Sequence, residues 1–477
     1  MPLTSHPNLQ RMLESVRAAP DDILIAIFLA FTASKDRDDS TSSGPILLGS
    51  VCARWRALTL SVSALWSSIR IVVPRAAKFA DAGALVRLFA DRSGVMPLHV
   101  SVAISTPNHA SFWPVGTSPN NTQAQCAPLI DALAATAARW QSFSLRSPRP
   151  LLWAVEDALA RPCALPRLER LDVREQHFPP WLYKPRPAAQ RVGMFAACPR
   201  LRRVRACLLH GQPRRVMQLP MGQLEEWDRL EGDAEELMRL LREAPRLGRC
   251  GAQVQLGRVP LSAGTVRHAL RALDVSFEGT GDVGDMDEFF QRIELPELTE
   301  LRVEVFWAHF SAPTRFTSLL AAPSALRKLA ITLRPQSIPP VDLHLLLEEV
   351  PGVEEFEFRQ GAARRGYPSA YTAEMLERLT LDAGSDKAPL LPNLRVLILL
   401  GHIDIRDTKA FTAMIRSRTS IESVTVARCA VLQSLRLCVQ EQTCSFTMED
   451  LGAIKKILGD KADLKVVSRR SSSMRIY

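Results

Sequence analysis

Few residues in this sequence have the type and spacing for chemistry. Gly279-Thr280-Gly281-Asp282-Val283-Gly284 spells G-x-G-x-x-G after an apolar run, Leu273 to Phe277, and ahead of a helical stretch. In a dinucleotide site such a turn aims backbone amides at a pyrophosphate. Here Asp282, Asp285, Asp287 and Glu288 crowd it and would repel phosphate, so it reads as a turn within a repeat. Cys198, Cys207 and His210, and Cys438 with Cys444, come nearest to metal-ligand spacing but lack the paired short intervals of structural zinc. They read as small buried apolar side chains. No G-x-S-x-G elbow or Walker A pattern occurs, and the histidines do not cluster. The expectation is a chain that is not an enzyme, with no cofactor and no metal, whose function lies in binding.

The elements that would present a binding surface recur. An apolar residue is followed by a second three later and a third two after that. The clear copies are Leu168-Leu171-Val173, Leu201-Val204-Ala206, Leu270-Leu273-Val275, Leu298-Leu301-Val303, Leu326-Leu329-Ile331, Val353-Phe356-Phe358, Leu394-Leu397-Leu399 and Ile421-Val424-Val426. Weaker copies begin at Trp140, at Leu247 and at Leu224, where Arg229 is a misfit. Successive copies start 23 to 41 residues apart. Each reads as a short strand whose last two apolar residues point one way. Helical stretches lie between, as at Ala234 to Arg242, Asp287 to Ile293, Val341 to Val350 and Ala373 to Leu379. One strand and one helix cannot bury an apolar face alone, whereas stacked neighbours can. Prolines 166, 199, 245, 296, 323, 351 and 392 precede the strands and are read as ending helices and starting extended chain. The long steps mark insertions, at 177–187 with Phe178, Trp181 and Tyr183, and within 361–371. Thr447-Met448-Glu449-Asp450 reads as a capping-box start to a late helix, followed by a strand at Leu464 to Val467.

This pattern resembles the leucine-rich repeat family. A regular repeat carries Asn or Cys five positions after the second apolar residue, and here Cys429 alone fills that place. The resemblance therefore implies an irregular solenoid over residues 76–460, with a C-terminal strand and basic tail at 461–477.

Charge is uneven along the 477 residues. The net charge is +10, yet residues 139–215 hold 16 Arg and Lys against 5 Asp and Glu, so the remainder is close to neutral. A local basic patch implies a local partner, and with 6% aromatic residues it argues against nucleic acid. The 9 cysteines show no disulfide framework, which points to a reducing compartment, cytoplasmic and/or nuclear. The longest apolar run, Ile23 to Phe31, is shorter than a membrane span and follows Asp21 and Asp22 rather than a positive flank. No membrane partner is expected.

Residues 18–70 differ from the rest. Pro20-Asp21-Asp22 is a helix start, with acids at the positive end of the dipole. Ile23, Leu24, Ile27, Phe28 and Phe31 form one apolar helix face; Leu48, Val51, Cys52, Trp55 and Leu58 form a second. Leu65-Trp66 closes a short third helix. Fifty residues cannot bury all of these side chains, so some of that surface should meet a partner.

Ala19-Pro20-Asp21-Asp22-Ile23-Leu24-x-x-Ile27-Phe28, then Val51-Cys52-x-x-Trp55, then Leu65-Trp66, resembles the F-box motif, in the manner of fungal F-box-like proteins with degenerate repeats. Ala19 stands where that family usually has leucine, and 34–45 enlarges the first interhelical loop. The resemblance implies a trihelical module that docks on a Skp-type adaptor through Pro20, Ile23, Leu24, Ile27, Phe28, Val51, Cys52, Trp55, Leu65 and Trp66. The adaptor would link it to a cullin–RING ubiquitin ligase, and the repeats would hold the protein substrate. The alternative is a non-ligase repeat scaffold, protein- or nucleic-acid-binding, with a helical N-terminal cap. On the strands, Arg170, Arg174, Arg203 and Arg205 would form a basic end suited to an acidic or phosphorylated segment. Val396, Ile398 and Leu400 would form an apolar end.

Overall fold

The computed structural model describes residues 19–34, 44–104, 119–159, 165–176, 192–207, 217–256, 264–278, 283–305, 325–333, 343–361, 373–381, 388–401, 405, 407–440 and 446–467. The 177–187 insertion, residues 362–371 of the second insertion, Gly279 to Asp282 and the tail from 468 lie outside them. The chain divides into two compact units, 1–220 and 221–477.

Unit 1 opens with three helices, α1 (Asp21–Ser34), α2 (Gly44–Val51) and α3 (Ala53–Ser61), and a 3-10 turn at Ser63–Trp66. Parallel strands alternating with helices follow: β1 (Ser68–Val73), α4 (Phe79–Arg92), β2 (Leu98–Ile104), α5 (Pro119–Thr136), β3 (Trp140–Ser147), α6 (Arg149–Leu159), β4 (Arg170–Glu175) and β5 (Arg203–Cys207). Within the unit they pair in sequence order, β1 at the edge. Helices α4 and α5 approach closely: a Cβ at Gly83 would lie 2.3 Å from the Pro128 carbonyl oxygen, so only glycine fits.

Unit 2 continues the pattern with β6 (Glu226–Asp233), α7 (Ala234–Glu243), β7 (Arg249–Gln255), a two-residue β8 (Val266–Arg267), β9 (Ala272–Glu278), α8 (Val283–Gln291), a two-residue β10 (Ile293–Glu294), β11 (Glu300–Val305), β12 (Lys328–Leu333), α9 (Leu343–Glu348), β13 (Glu355–Gln360), α10 (Ala373–Leu379) and β14 (Val396–Gly401). It ends with α11 (Thr408–Thr419), α12 (Ile421–Ala427), β15 (Ser434–Gln440), α13 (Met448–Leu458) and β16 (Ala462–Val467). Its main sheet is parallel, in the order β6-β7-β9-β11-β12-β13-β14-β15-β16, with β8 and β10 paired apart. The chain is thus α/β, built on parallel sheet, with no closed barrel among the described residues.

The apolar triads explain the sheet. Leu301 and Val303 on β11 are buried, as are Phe356 and Phe358 on β13 and Leu397 and Leu399 on β14, while of the residues between them Arg302 is exposed and Glu357 and Ile398 are half-buried. Among the described residues, six strands are preceded by the same turn, apolar–Pro–x–apolar. The first residue of each triad donates its N–H to the carbonyl three residues back: Leu168 to Leu165 (3.2 Å), Leu201 to Cys198 (3.3 Å), Leu247 to Ala244 (3.0 Å), Leu298 to Leu295 (3.2 Å), Val353 to Val350 (3.2 Å) and Leu394 to Leu391 (3.1 Å). Both ends of every such turn are buried. The prolines occupy the second turn position, which their fixed φ favours. They shape a turn into the strand; Pro245 and Pro351 also follow the ends of α7 and α9, as expected, and Pro323 lies outside the described residues. Beyond the turns, a backbone ladder runs from repeat to repeat: Arg271 N donates to Gly248 O (2.9 Å), Thr299 N to Arg271 O (2.9 Å), Arg327 N to Thr299 O (2.9 Å), Glu354 N to Arg327 O (2.8 Å) and Arg395 N to Glu354 O (2.7 Å).

Several expectations are corrected. Ile421-Val424-Val426 is not a strand but helix α12, because Ser420 caps its start by accepting from the Ser423 N–H and Arg428 ends it in the left-handed region at φ 53°. The strand lies later, with Leu435 and Leu437 buried after Leu432. The misfit Arg229 is explained by a bulge: register shifts between Trp227 and Leu230, so Leu230 fills the third apolar position. The bulge brings the Asp228 carbonyl oxygen to 2.1 Å from any Cβ at Gly251, which only glycine tolerates. Strands β1 and β2 escaped the triad reading altogether. The predicted single helix through Val51, Cys52 and Trp55 is two helices, since Cys52 is extended at φ −159°. The late helix α13 carries the expected capping box between Thr447 and Asp450.

Candidate functional site

The N-terminal helices divide their apolar side chains between interior and surface. Leu24 and Phe28, one turn apart on α1, are buried, and the Phe28 ring meets Trp55 of α3 edge-on at 4.7 Å. Trp55 is half-buried. Leu65 and Trp66 are buried at the end of the 3-10 turn. The Trp66 indole N–H donates to the Thr59 carbonyl (2.7 Å), its ring packs on Phe89 of α4 at 5.0 Å, and the Arg92 guanidinium lies 4.3 Å above it. These contacts join the three helices to the first strand–helix pair of unit 1. Arg54 closes the other side, donating to Asp21 Oδ1 from Nε (2.9 Å) and to the Ala19 carbonyl (2.7 Å).

The remaining apolar residues of these helices face water. Ile23 and Ile27 are each 50% exposed, Val51 is 59% exposed, and Leu29, Ile46, Leu47 and Leu60 lie between 39% and 48%. Pro20 and Cys52 are exposed beside them in sequence. Of the ten residues that the motif singles out, Leu24, Phe28, Leu65 and Trp66 are interior, Trp55 is intermediate, and Pro20, Ile23, Ile27, Val51 and Cys52 are free to touch another molecule. Burying the open half of an Ile or Leu is worth about 1 kcal/mol, so seven such side chains represent several kcal/mol of available association energy.

The arginines of unit 1 lie in adjoining rows. Arg170 on β4 stands opposite Arg203 on β5, and Asp172 opposite Arg205. Arg170 and Arg203 are exposed. Arg174 is engaged: its Nε and Nη2 both donate to Asp172, at 2.9 and 2.7 Å, in a two-pronged pair. Residues i and i+2 share one face of a strand, so this pair was readable from the sequence. Asp172 reduces the positive field of the cluster.

In unit 2 the open face of the sheet carries a groove of about 310 Å3 between β6 and β13, which the sequence reading missed. Acidic Glu226, Asp228, Asp274, Glu300, Glu355 and Glu357 line it against basic Arg249, Arg302 and Lys328. Two of these cations bridge carboxylates of neighbouring or nearby strands, Lys328 reaching Glu355 (3.4 Å) and Glu300 (3.9 Å) and Arg302 reaching Glu357 (3.4 Å) and Asp274 (4.0 Å), while Arg249 reaches Glu300 (3.8 Å). Partial desolvation raises the Asp274 carboxyl above its ordinary value; Arg302 opposes this, and Glu304, Asp228 and Glu357 reinforce it. Beside the groove, Val396, Ile398 and Leu400 of β14 form a half-buried apolar column.

Among the described residues no group of three or more His, Cys, Asp or Glu side chains is placed to hold a metal ion, and no helix is long and apolar enough to cross a membrane. Cys126, Cys198 and Cys250 are buried, and burial pushes each thiol up to about 12. In comparison with known proteins, the chain matches no family model and no curated protein.

Proposed function

We propose that this chain is the substrate-recruiting subunit of a Skp–cullin–F-box ubiquitin ligase, cytoplasmic and/or nuclear. The N-terminal helices dock on the adaptor and an irregular leucine-rich-repeat solenoid presents the sheet face to a protein substrate. The observation that carries this reading is the exposure of Ile23, Ile27 and Val51 at motif positions while Leu24, Phe28 and Trp66 hold the helices together. An apolar surface of this kind on a small helical module is what an obligate partner covers. The strand–turn repeats supply a broad face, which suits a recruiting role; transfer chemistry would belong to other subunits. Co-expression with a Skp-type adaptor tests the reading: the two should elute as one complex, and separate elution at micromolar concentration would refute it.

A second reading is a non-ligase scaffold whose N-terminal helices cap the repeats. The packing of Trp66 on Phe89 and Arg92 favours it, since a cap must be joined to what it covers. In that case the helices bind no adaptor and their removal unfolds unit 1.

A further inference from the structure

The open face of the unit 2 sheet is ordered in rows by its strand register. One row reads Gly251, Asp274, Arg302, Ala330, Glu357, Ile398 and Arg436 from β7 to β15. The row before it reads Arg249, Ala272, Glu300, Lys328, Glu355 and Val396. Gly251 and Ala330 put almost no side chain on this face, and the groove of about 310 Å3 opens where they lie among long charged neighbours. The groove is acidic overall, six carboxylates to three cations. It borders directly on an apolar column, because Glu355, Glu357 and Arg359 stand opposite Val396, Ile398 and Leu400.

We propose that this face binds an extended peptide segment carrying Arg or Lys side chains beside aliphatic ones, the cations entering the acidic groove and the aliphatics lying on Val396, Ile398 and Leu400. Charge complementarity selects the partner's sign, and the adjoining apolar column selects its neighbouring residues. Strands lie about 4.8 Å apart, so the path from Asp274 on β9 to Ile398 on β14 crosses four strand spacings, roughly 19 Å. An extended peptide rises about 3.3 Å per residue, so about six residues cover it. The raised Asp274 carboxyl fits the same picture, since an incoming cation would relieve the surrounding negative charge. The inference names the substrate class for the recruiting role proposed above. It assigns basic–aliphatic segments to unit 2, a different chemistry from the acidic partner expected at the unit 1 arginines.

Fluorescence anisotropy on the full chain, without adaptor, tests it independently of the ligase reading. Three labelled peptides serve as probes: Arg-Lys-Arg-Ala-Leu-Val-Leu, its acidic counterpart Glu-Asp-Glu-Ala-Leu-Val-Leu, and Arg-Lys-Arg-Ala-Ser-Gly-Ser. The first should bind best, each of the others at least about tenfold more weakly. Asp274→Asn with Glu357→Gln should weaken the first peptide about tenfold, and Ile398→Ser should do the same. Circular dichroism melts confirm that the variants remain folded; should the double variant unfold, Asp274→Asn alone with a salt titration replaces it, and affinity should fall as salt rises. Equal binding of the basic and acidic peptides, no binding of the first peptide up to millimolar concentration, or affinity unchanged in folded variants would overturn the proposal.

Discussion

Phe28 of α1 and Trp55 of α3 meet edge-on, ring centroids 4.7 Å apart, and this contact gives the half-buried Trp55 a packing role as well as a motif position. Ile23 and Ile27 lie on the same helix as Phe28 but stay half open to water. The two kinds of position should respond differently to mutation. Trp55→Ala is expected to destabilise the N-terminal helices by roughly 2–3 kcal/mol, less than for a fully buried Trp. Ile27→Asp should change stability by no more than about 0.5 kcal/mol. Thermal melts of the two variants would show the contrast; equal losses would mean that the exposed face is internally packed after all.

Trp66 makes a stronger claim. It is buried, its N–H bonds Thr59, and its ring contacts α4. Trp66→Ala should cost roughly 3–5 kcal/mol in urea unfolding of the intact chain. Truncation before residue 76 removes β1 as well as the helices, and so exposes the edge of β2. Such a truncated chain should melt at lower temperature than one lacking only residues 1–18.

Arg418 of α11 is fully buried and donates to three carbonyls: Leu379 (2.6 Å), Leu391 (3.0 Å) and Leu390 (2.5 Å). It thereby ties the end of α10 and the turn before β14, where Leu391 sits at φ 48°. Arg418→Met keeps volume but removes all three of these bonds, leaving the Leu391 carbonyl with the Leu394 N–H of its turn, which should cost about 3 kcal/mol or more. Limited proteolysis should then cut between residues 379 and 395 faster than in the wild type, and unchanged cleavage would show that the guanidinium is dispensable.

Thiol labelling reads out both fold and partner. With their thiols pushed up to about 12 by burial, Cys126, Cys198 and Cys250 carry almost no thiolate at pH 8 and should resist iodoacetamide in the folded chain. Cys52 is exposed between α2 and α3 and should react first among the described cysteines. Adaptor binding should slow Cys52 labelling severalfold. Mass spectrometry that finds Cys52 equally labelled with and without adaptor would place the interface elsewhere.

How far the sequence disclosed this structure depends on what each spacing can encode. The triads of residues 168–399 fell on strands because inward alternation has a period of two. The same 0, 3, 5 spacing also suits a helix face, and at Ile421 the Ser420 cap decides for helix. β1 and β2 carry triads as well, but Trp66 belonged to the helical motif and β2 begins after a proline, Pro97, at the first position. The motif marked α1 correctly yet could not say which apolar column turns inward; Leu24 and Phe28 do, Ile23 and Ile27 do not. The acidic groove was out of reach because it joins residues of several strands, and its opening depends on a bulge at Asp228 and small residues at 251 and 330.

The proposed function rests on adaptor binding by the exposed aliphatic side chains of α1 and α2. Isothermal titration of the purified full chain with a Skp-type adaptor measures this directly. The expected result is a Kd at or below about 1 μM, with a negative heat-capacity change from apolar burial, and at least a hundredfold loss in Ile23→Asp with Val51→Asp while the melt is unchanged. Absence of heat at micromolar concentrations in the wild type, or full affinity in the folded double variant, would contradict it.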